Sequence, residues 1–259
     1  MRIAVAGKGG SGKTTTAATL ARLFARRGYR VAAIDDDPNP NLSTAIGLTP
    51  EQRAALSRVP REEILEEVKD DQGTATLHLK RPFVEVLRQY GASGPDGVDV
   101  LVMTGLLGAG RGLIGELGNV EENDVTVLDM EASIEHLSRG TLRHVDVLLM
   151  ITEPYYRSLE TLGRMVPLAH ELGIKQMYVV ANKVRGPREE EAIRHYCAER
   201  GLEILALLPF DEDVLDADQS GTPILDRYPD SAYVKQVEQL QEKLSVEPGM
   251  RAHETRSAR

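Results

Sequence analysis

Cysteine is nearly absent from this sequence of 259 residues, with Cys197 the single example. One thiol per chain excludes a disulfide framework, a redox dithiol, and a zinc or iron–sulfur site built from the cysteines of one chain; a reducing cytosol is the expected compartment. Long hydrophobic runs are also missing. The longest, residues 145–151, is strand-sized and far short of the ~18 apolar residues of a membrane helix. Between Arg2 and Lys8 lie only five uncharged residues, too few for the apolar region of a signal peptide. Basic charge is in deficit. The chain carries 31 Lys and Arg against 40 Asp and Glu, a net charge of −9, which argues against wrapping nucleic acid through a broad basic face and leaves room only for a local patch. Aromatics make up 4%, but apolar residues reach 41%, enough for a sizeable core. A soluble, cytoplasmic α/β protein is expected.

Short β-rich apolar runs recur at 3–6, 31–34, 98–103, 125–128, 145–151, 177–181 and 204–208, with helical stretches between them. Near-continuous apolar strands alternating with helices are what a parallel sheet covered on both faces requires. The expectation is about seven strands, mostly parallel, with helices on both faces. Helices are predicted over 14–27, 158–171 and 187–200, stopped by Gly28, Gly173 and Gly201 where a C-terminal cap belongs. Residues 49–97 exceed what one crossover needs. They contain charged helical patterns at 61–69 and 83–90 and end in the loose sequence GASGPDG, which suggests a subdomain inserted into a single domain of residues 1–246. Residues 247–259 lack apolar periodicity and read as a frayed tail.

The octapeptide Gly7-Lys8-Gly9-Gly10-Ser11-Gly12-Lys13-Thr14 fits G-x-x-x-x-G-K-[ST], follows an apolar strand and opens a helix. Glycines let the backbone curl so that N–H groups face phosphate oxygens, and the helix start adds its positive dipole end. Gly9, Gly10, Ser11, Gly12, Lys13, Thr14 and Thr15 are therefore nucleotide-binding candidates. Lys13 would reach the β- and γ-phosphates, the Thr14 hydroxyl Mg²⁺, and Thr15 the α-phosphate. Three carboxylates, Asp35, Asp36 and Asp37, follow the second strand, where one can orient water or hold hydrated Mg²⁺. Asp129 ends the run Val125-Thr126-Val127-Leu128, the placement of a carboxylate aimed at the Mg²⁺ shell. His136 has no ligand cluster around it in sequence.

Lys8 is not required by an ordinary phosphate loop. With it, KGGSGKTT resembles the deviant Walker A signature of the MinD/ParA-like ATPases, P-loop NTPases of the SIMIBI class. The resemblance implies that Lys8 reaches the phosphates of a partner subunit's ATP across an ATP-dependent homodimer. It likens Asp35-Asp36-Asp37-Pro38-Asn39-Pro40-Asn41 to the family's D-x-D-P-x-x-N switch I, with Asp37 positioning water and also holding Mg²⁺ through water, and with Asp35 and Asn41 in support. Residues 130–136, including Glu131, take the place of switch II, and residues 38–48 join them as expected moving parts. Asn182 resembles the adenine-reading asparagine, and Pro209 and Asp211 the loop on the other side of the base.

Within the family, VLDMEASIEHLSRGT, ITEP and VVANKV look most similar to the carbon monoxide dehydrogenase accessory ATPases that assist nickel insertion, over most of residues 1–225 and weakly over 49–97. Those proteins usually carry Cys-x-Cys between the third and fourth strands. Residues 105–113 here read GLLGAGRGL, so thiolate metal binding by that route is impossible. The two cluster-binding cysteines of nitrogenase iron protein are absent too, which discounts electron transfer. Thr44 stands where the tail-anchored-protein ATPases have aspartate. Residues 233–244 are mixed in charge, unlike a membrane-cycling helix. The resemblance thus implies a slow, Mg²⁺-dependent ATP/ADP switch with an unknown client, a metalloenzyme or its maturation factor. A ParA/MinD-type module acting on DNA or lipid is the alternative, and a small-molecule kinase a weaker one.

Overall fold

The structure, a computed structural model, describes residues 1–57, 59, 65–69, 75–103, 124–131 and 145–246. Strand β1 (Arg2–Gly7) lies near the middle of an eight-stranded sheet. On one side follow β7 (Asp124–Glu131), β2 (Arg30–Asp35), β6 (Asp99–Val102) and β5 (Ala92–Ser93). On the other lie β8 (Val147–Thr152), β9 (Gln176–Val184) and β10 (Glu203–Pro209). All pairs are parallel except β5 with β6. The eighth strand, two residues long, is the one that composition did not reveal.

Successive residues of a strand point to opposite faces, and the core divides accordingly. Ile3, Val5, Val127 and Leu149 pack on one side with α1 (Lys13–Arg26) and the carboxyl-terminal helix α9 (Ala232–Ser245). Ala4, Ala6, Leu128 and Met150 pack on the other with α5 (Tyr156–Glu171) and α6 (Pro187–Ala198). The predicted helices therefore stand, with ends shifted by one or two residues.

Residues 65–69, read as part of a charged helix, form a strand instead. β3 (Leu65–Lys69) pairs antiparallel with β4 (Ala75–Leu79), Leu65 opposite Leu79 and Lys69 opposite Ala75. A β-rich partner a few residues downstream outweighs a weak local helical pattern; residues 61–64 lie outside the described set. Further on, α4 (Phe83–Tyr90) buries Val86 and Tyr90. The sequence 91–97, expected to be loose, supplies β5 and a 3₁₀ turn at Pro95–Gly97.

That turn is fastened by Arg22, which is 2% exposed. Its Nε donates to Asp96 Oδ2 at 2.6 Å, its two Nη groups donate to the Asp226 carboxylate at 2.7 Å each, and Nη1 also reaches the Ile46 carbonyl at 3.3 Å. Burial works against the charge of Arg22, yet the two carboxylates hold its pKa above the ordinary value. One side chain thus joins α1, α2 (Leu42–Ile46), the 95–97 turn and α8 (Ile224–Arg227). Replacing it with methionine leaves the two carboxylates with only the more exposed Arg26, 3.1 Å from Asp96 and 3.8 Å from Asp226. We expect Arg22→Met to cost about 2 kcal/mol, read from the urea midpoint of unfolding; an unchanged midpoint would mean that Arg26 and solvent compensate both carboxylates.

Candidate functional site

The end of β1 opens into the glycine-rich loop because Gly7 meets the Ile151 carbonyl of β8 too closely for any side chain. Gly10 (φ 80°) and Gly12 (φ 92°) adopt left-handed backbone, which lets residues 8–12 curl before α1 begins at Lys13. The Ser11 N–H donates to the Lys8 carbonyl at 3.1 Å, closing the curl. Lys13 is buried, with Nζ 3.5 Å from the same carbonyl. Lys8, Gly9 and Gly10 are exposed. The Lys8 ammonium has no hydrogen-bond or ion-pair partner among the described residues.

Register places the acidic residues beside this loop. Asp129 of β7 lies between Val5 of β1 and Asp35 of β2. Thr14 Oγ1 donates to Asp129 Oδ2 at 2.6 Å, while Oδ1, fully buried, has no partner among the described residues. Burial pushes Asp129 up to about 7, with Asp35 and Asp37 adding to the shift and the Thr14 hydroxyl and Lys13 opposing it. Asp36 is likewise raised to about 7, by burial first and then by Asp35 and Asp37. Asp35 is raised by burial, although the N–H groups of Leu42 (2.8 Å) and Asp37 (3.2 Å) donate to it. Such a group of carboxylates is short of positive charge. The orphaned oxygen of Asp129 beside the Thr14 hydroxyl is a donor set that suits hydrated Mg²⁺, a hard cation that keeps most of its water.

Asp37 is partly exposed and shapes its own loop, its Oδ1 accepting from the Asn39 N–H at 2.9 Å. The exposed Asn41 donates through Nδ2 to the Asn39 carbonyl at 2.9 Å. Glu131 ends β7 opposite Gly7. Met130 before it is buried; residues 132–136 of the segment read as switch II, and residues 105–113, lie outside the described residues.

A cleft of about 550 Å³ runs from the loop to the ends of β9 and β10, lined by Thr15, Thr44, Asn182, Pro209, Phe210 and Asp211 among others. Asn182 is buried and donates from Nδ2 to the Ser11 carbonyl at 2.8 Å. Both oxygens of Asp211 are engaged. Oδ1 caps α7 (Glu212–Gln219) by accepting from the Asp213 N–H at 3.0 Å, and Oδ2 accepts from the Tyr233 N–H at 3.0 Å.

The structure adds residues that the motifs did not single out. Tyr233, at the start of α9, lines the cleft and shares a 2.9 Å hydrogen bond with Thr16, which also donates to the Gly12 carbonyl. Lys183 reaches the Gly10 carbonyl at 2.5 Å and Glu153 at 2.9 Å. The one available signal was the position of Lys183 directly after Asn182.

The pattern of the CobQ/CobB/MinD/ParA nucleotide binding domain matches residues 3–224. An uncharacterized ATP-binding protein of Methanocaldococcus jannaschii, MJ0823, is 36% identical over 252 residues, covering 93% of this chain and 96% of the relative. The carbon monoxide dehydrogenase accessory protein CooC of Rhodospirillum rubrum is 34% identical over 241 residues, covering 88% of this chain and 91% of CooC. In fold, the septum site-determining protein MinD of Pyrococcus horikoshii, solved with Mg-ADP, superposes with a TM-score of 0.65 at 17% identity, over 95% of each chain.

Proposed function

Because this chain belongs to the CobQ/CobB/MinD/ParA nucleotide-binding family and is an ATPase of it, we propose that it works as an ATP-switched homodimer serving the maturation of a metalloenzyme. The observation that carries the dimeric switch is Lys8, exposed at the mouth of the phosphate loop with its ammonium unpaired among the described residues. A second subunit's phosphates would give that charge a partner, in the manner of a transition-state cation supplied in trans. The client class rests on the identity to CooC across most of both chains.

In this reading, the loop residues Gly9, Gly10, Ser11 and Gly12 cradle the phosphates and Lys13 holds the β- and γ-phosphates, while Thr15 reaches the α-phosphate. Thr14 by its hydroxyl, and Asp129 and Asp37 through water, would hold Mg²⁺, which when bound neutralises phosphate charge. Asp37 orients the attacking water. Asp35 holds the loop that carries Asp37 by accepting from Leu42 and Asp37, with Asn41 bracing the same loop and Glu131 belonging to the second switch. Asn182 keeps one amide hydrogen beyond its bond to Ser11 for the edge of adenine. Pro209 and Asp211 wall the far side, Asp211 by fixing the loop through α7 and α9.

Membrane attachment through α9 is disfavoured, because Tyr233, Val234, Val237, Leu240 and Leu244 spend its apolar face on the sheet. The test is Lys8→Ala. Its affinity for ATP should stay within about threefold of wild type, while the ATP-dependent dimer, read by light scattering, and the hydrolysis that depends on it are lost. Full dimerisation and hydrolysis in this variant would remove the trans role. ATP-dependent retention on DNA or on lipid vesicles would favour a positioning function over service to a metalloenzyme.

A further inference from the structure

We propose that Lys183 is a positioning residue for the phosphate loop, aimed there by a bulge in β9 and steadied by Glu153. The inference rests on the reading of residues 7–14 as the phosphate site.

Between Ala181 and Val184 strand β9 takes three steps while its partner β10 takes two, from Leu207 to Pro209. The extra residue falls at Asn182-Lys183, and Lys183 adopts left-handed backbone (φ 59°), which side-chain-bearing residues rarely do. In a regular strand, neighbouring side chains point to opposite faces of the sheet. The bulge cancels that alternation. Asn182 Nδ2 donates to the Ser11 carbonyl at 2.8 Å and Lys183 Nζ donates to the Gly10 carbonyl at 2.5 Å, so two consecutive residues hold two consecutive carbonyls of the loop. Glu153, at the end of β8 and 9% exposed, accepts from the same ammonium at 2.9 Å. Its own backbone N–H donates to Ser158 Oγ at 2.9 Å, which fixes the carboxylate's origin.

The loop needs such outside holds because Gly10 and Gly12 leave it free to rotate its peptides. A carbonyl turned into the cleft would face phosphate oxygens with like partial charge. Lys183 stops this for Gly10 with an ammonium already held by the Gly10 carbonyl and Glu153, so its effect should fall on any nucleotide whose phosphates use the loop. A lysine that touched the γ-phosphate would instead discriminate ATP from ADP.

The experiment measures dissociation constants for Mg·ATP and Mg·ADP, and the KM and kcat of hydrolysis, in wild type, Lys183→Met and Lys183→Arg. Methionine keeps the length of the stem and removes the ammonium; arginine restores a donor cation. Lys183→Met should weaken both nucleotides by about tenfold and equally, with KM rising in step and kcat falling less than about threefold, and Lys183→Arg should recover most of the loss. Unchanged binding of both nucleotides overturns the proposal, and so does a loss confined to ATP or to kcat. Should Lys183→Met fail to fold, Glu153→Gln carries the test: a smaller loss, equal for ATP and ADP, supports the hold, and none overturns it. If wild type bound neither nucleotide, the phosphate-loop reading itself would fail, and this inference with it.

Discussion

Lys13→Ala is expected to abolish nucleotide binding in the working range. Its ammonium is buried at the start of α1, and its one side-chain hydrogen bond among the described residues is a long contact of 3.5 Å to the Lys8 carbonyl. Little hydrogen bonding of the fold depends on it, although its charge offsets Asp129, so the variant should still fold. Two charge-assisted contacts to the β- and γ-phosphates are lost, at about 1.5–3 kcal/mol each, which corresponds to roughly 10²- to 10⁴-fold in dissociation constant. Lys13→Arg should fare little better, since a planar fork cannot take the place of a compact ammonium held under a glycine loop. Titration calorimetry with Mg·ATP decides the matter. Wild-type affinity in Lys13→Ala would sink the assignment of residues 7–14 as the phosphate site.

The parts of this site that were legible in the sequence share one property: each is a short contiguous motif at the end of an apolar run. The octapeptide that starts on the last residue of β1, the aspartates that start on the last residue of β2 and Asp129 near the end of β7 needed no tertiary information, because a parallel sheet brings the carboxyl ends of its strands to one edge. Parts that depend on register were hidden. Lys183 reaches Gly10 only because β9 and β10 fall out of step by one residue, and no pattern within a single strand announces that. Tyr233 meets Thr16 across 217 positions of sequence. Nor could composition distinguish the strand Leu65–Lys69 from a charged helix, since its register comes from a partner strand. The edge strand Ala92–Ser93 is too short to carry a periodicity, and the turn after it is held by Arg22 from α1.

Asp37→Ala should still bind ATP and hydrolyse it at least tenfold more slowly, about 1.4 kcal/mol of barrier, because the group we propose to orient the attacking water is gone. Alanine also removes the acceptor for the Asn39 N–H at 2.9 Å, so a slower rate alone would not separate chemistry from loop shape. Asp37→Asn makes the separation. Its side-chain oxygen can accept the same hydrogen bond, but it lacks the negative charge. If charge orients the water, Asp37→Asn is as slow as Asp37→Ala; if only the turn matters, it is close to wild type. The slow variant also tests the switch by its mass in light scattering without nucleotide, with ADP and with Mg·ATP. A dimer that forms with Mg·ATP alone, and persists because hydrolysis cannot release it, supports an ATP-gated pair of subunits and provides bait for the client. One mass in all three states would mean that assembly is independent of the nucleotide or that Lys8 bridges no interface. Phosphate transfer to a small acceptor would then be the activity to assay.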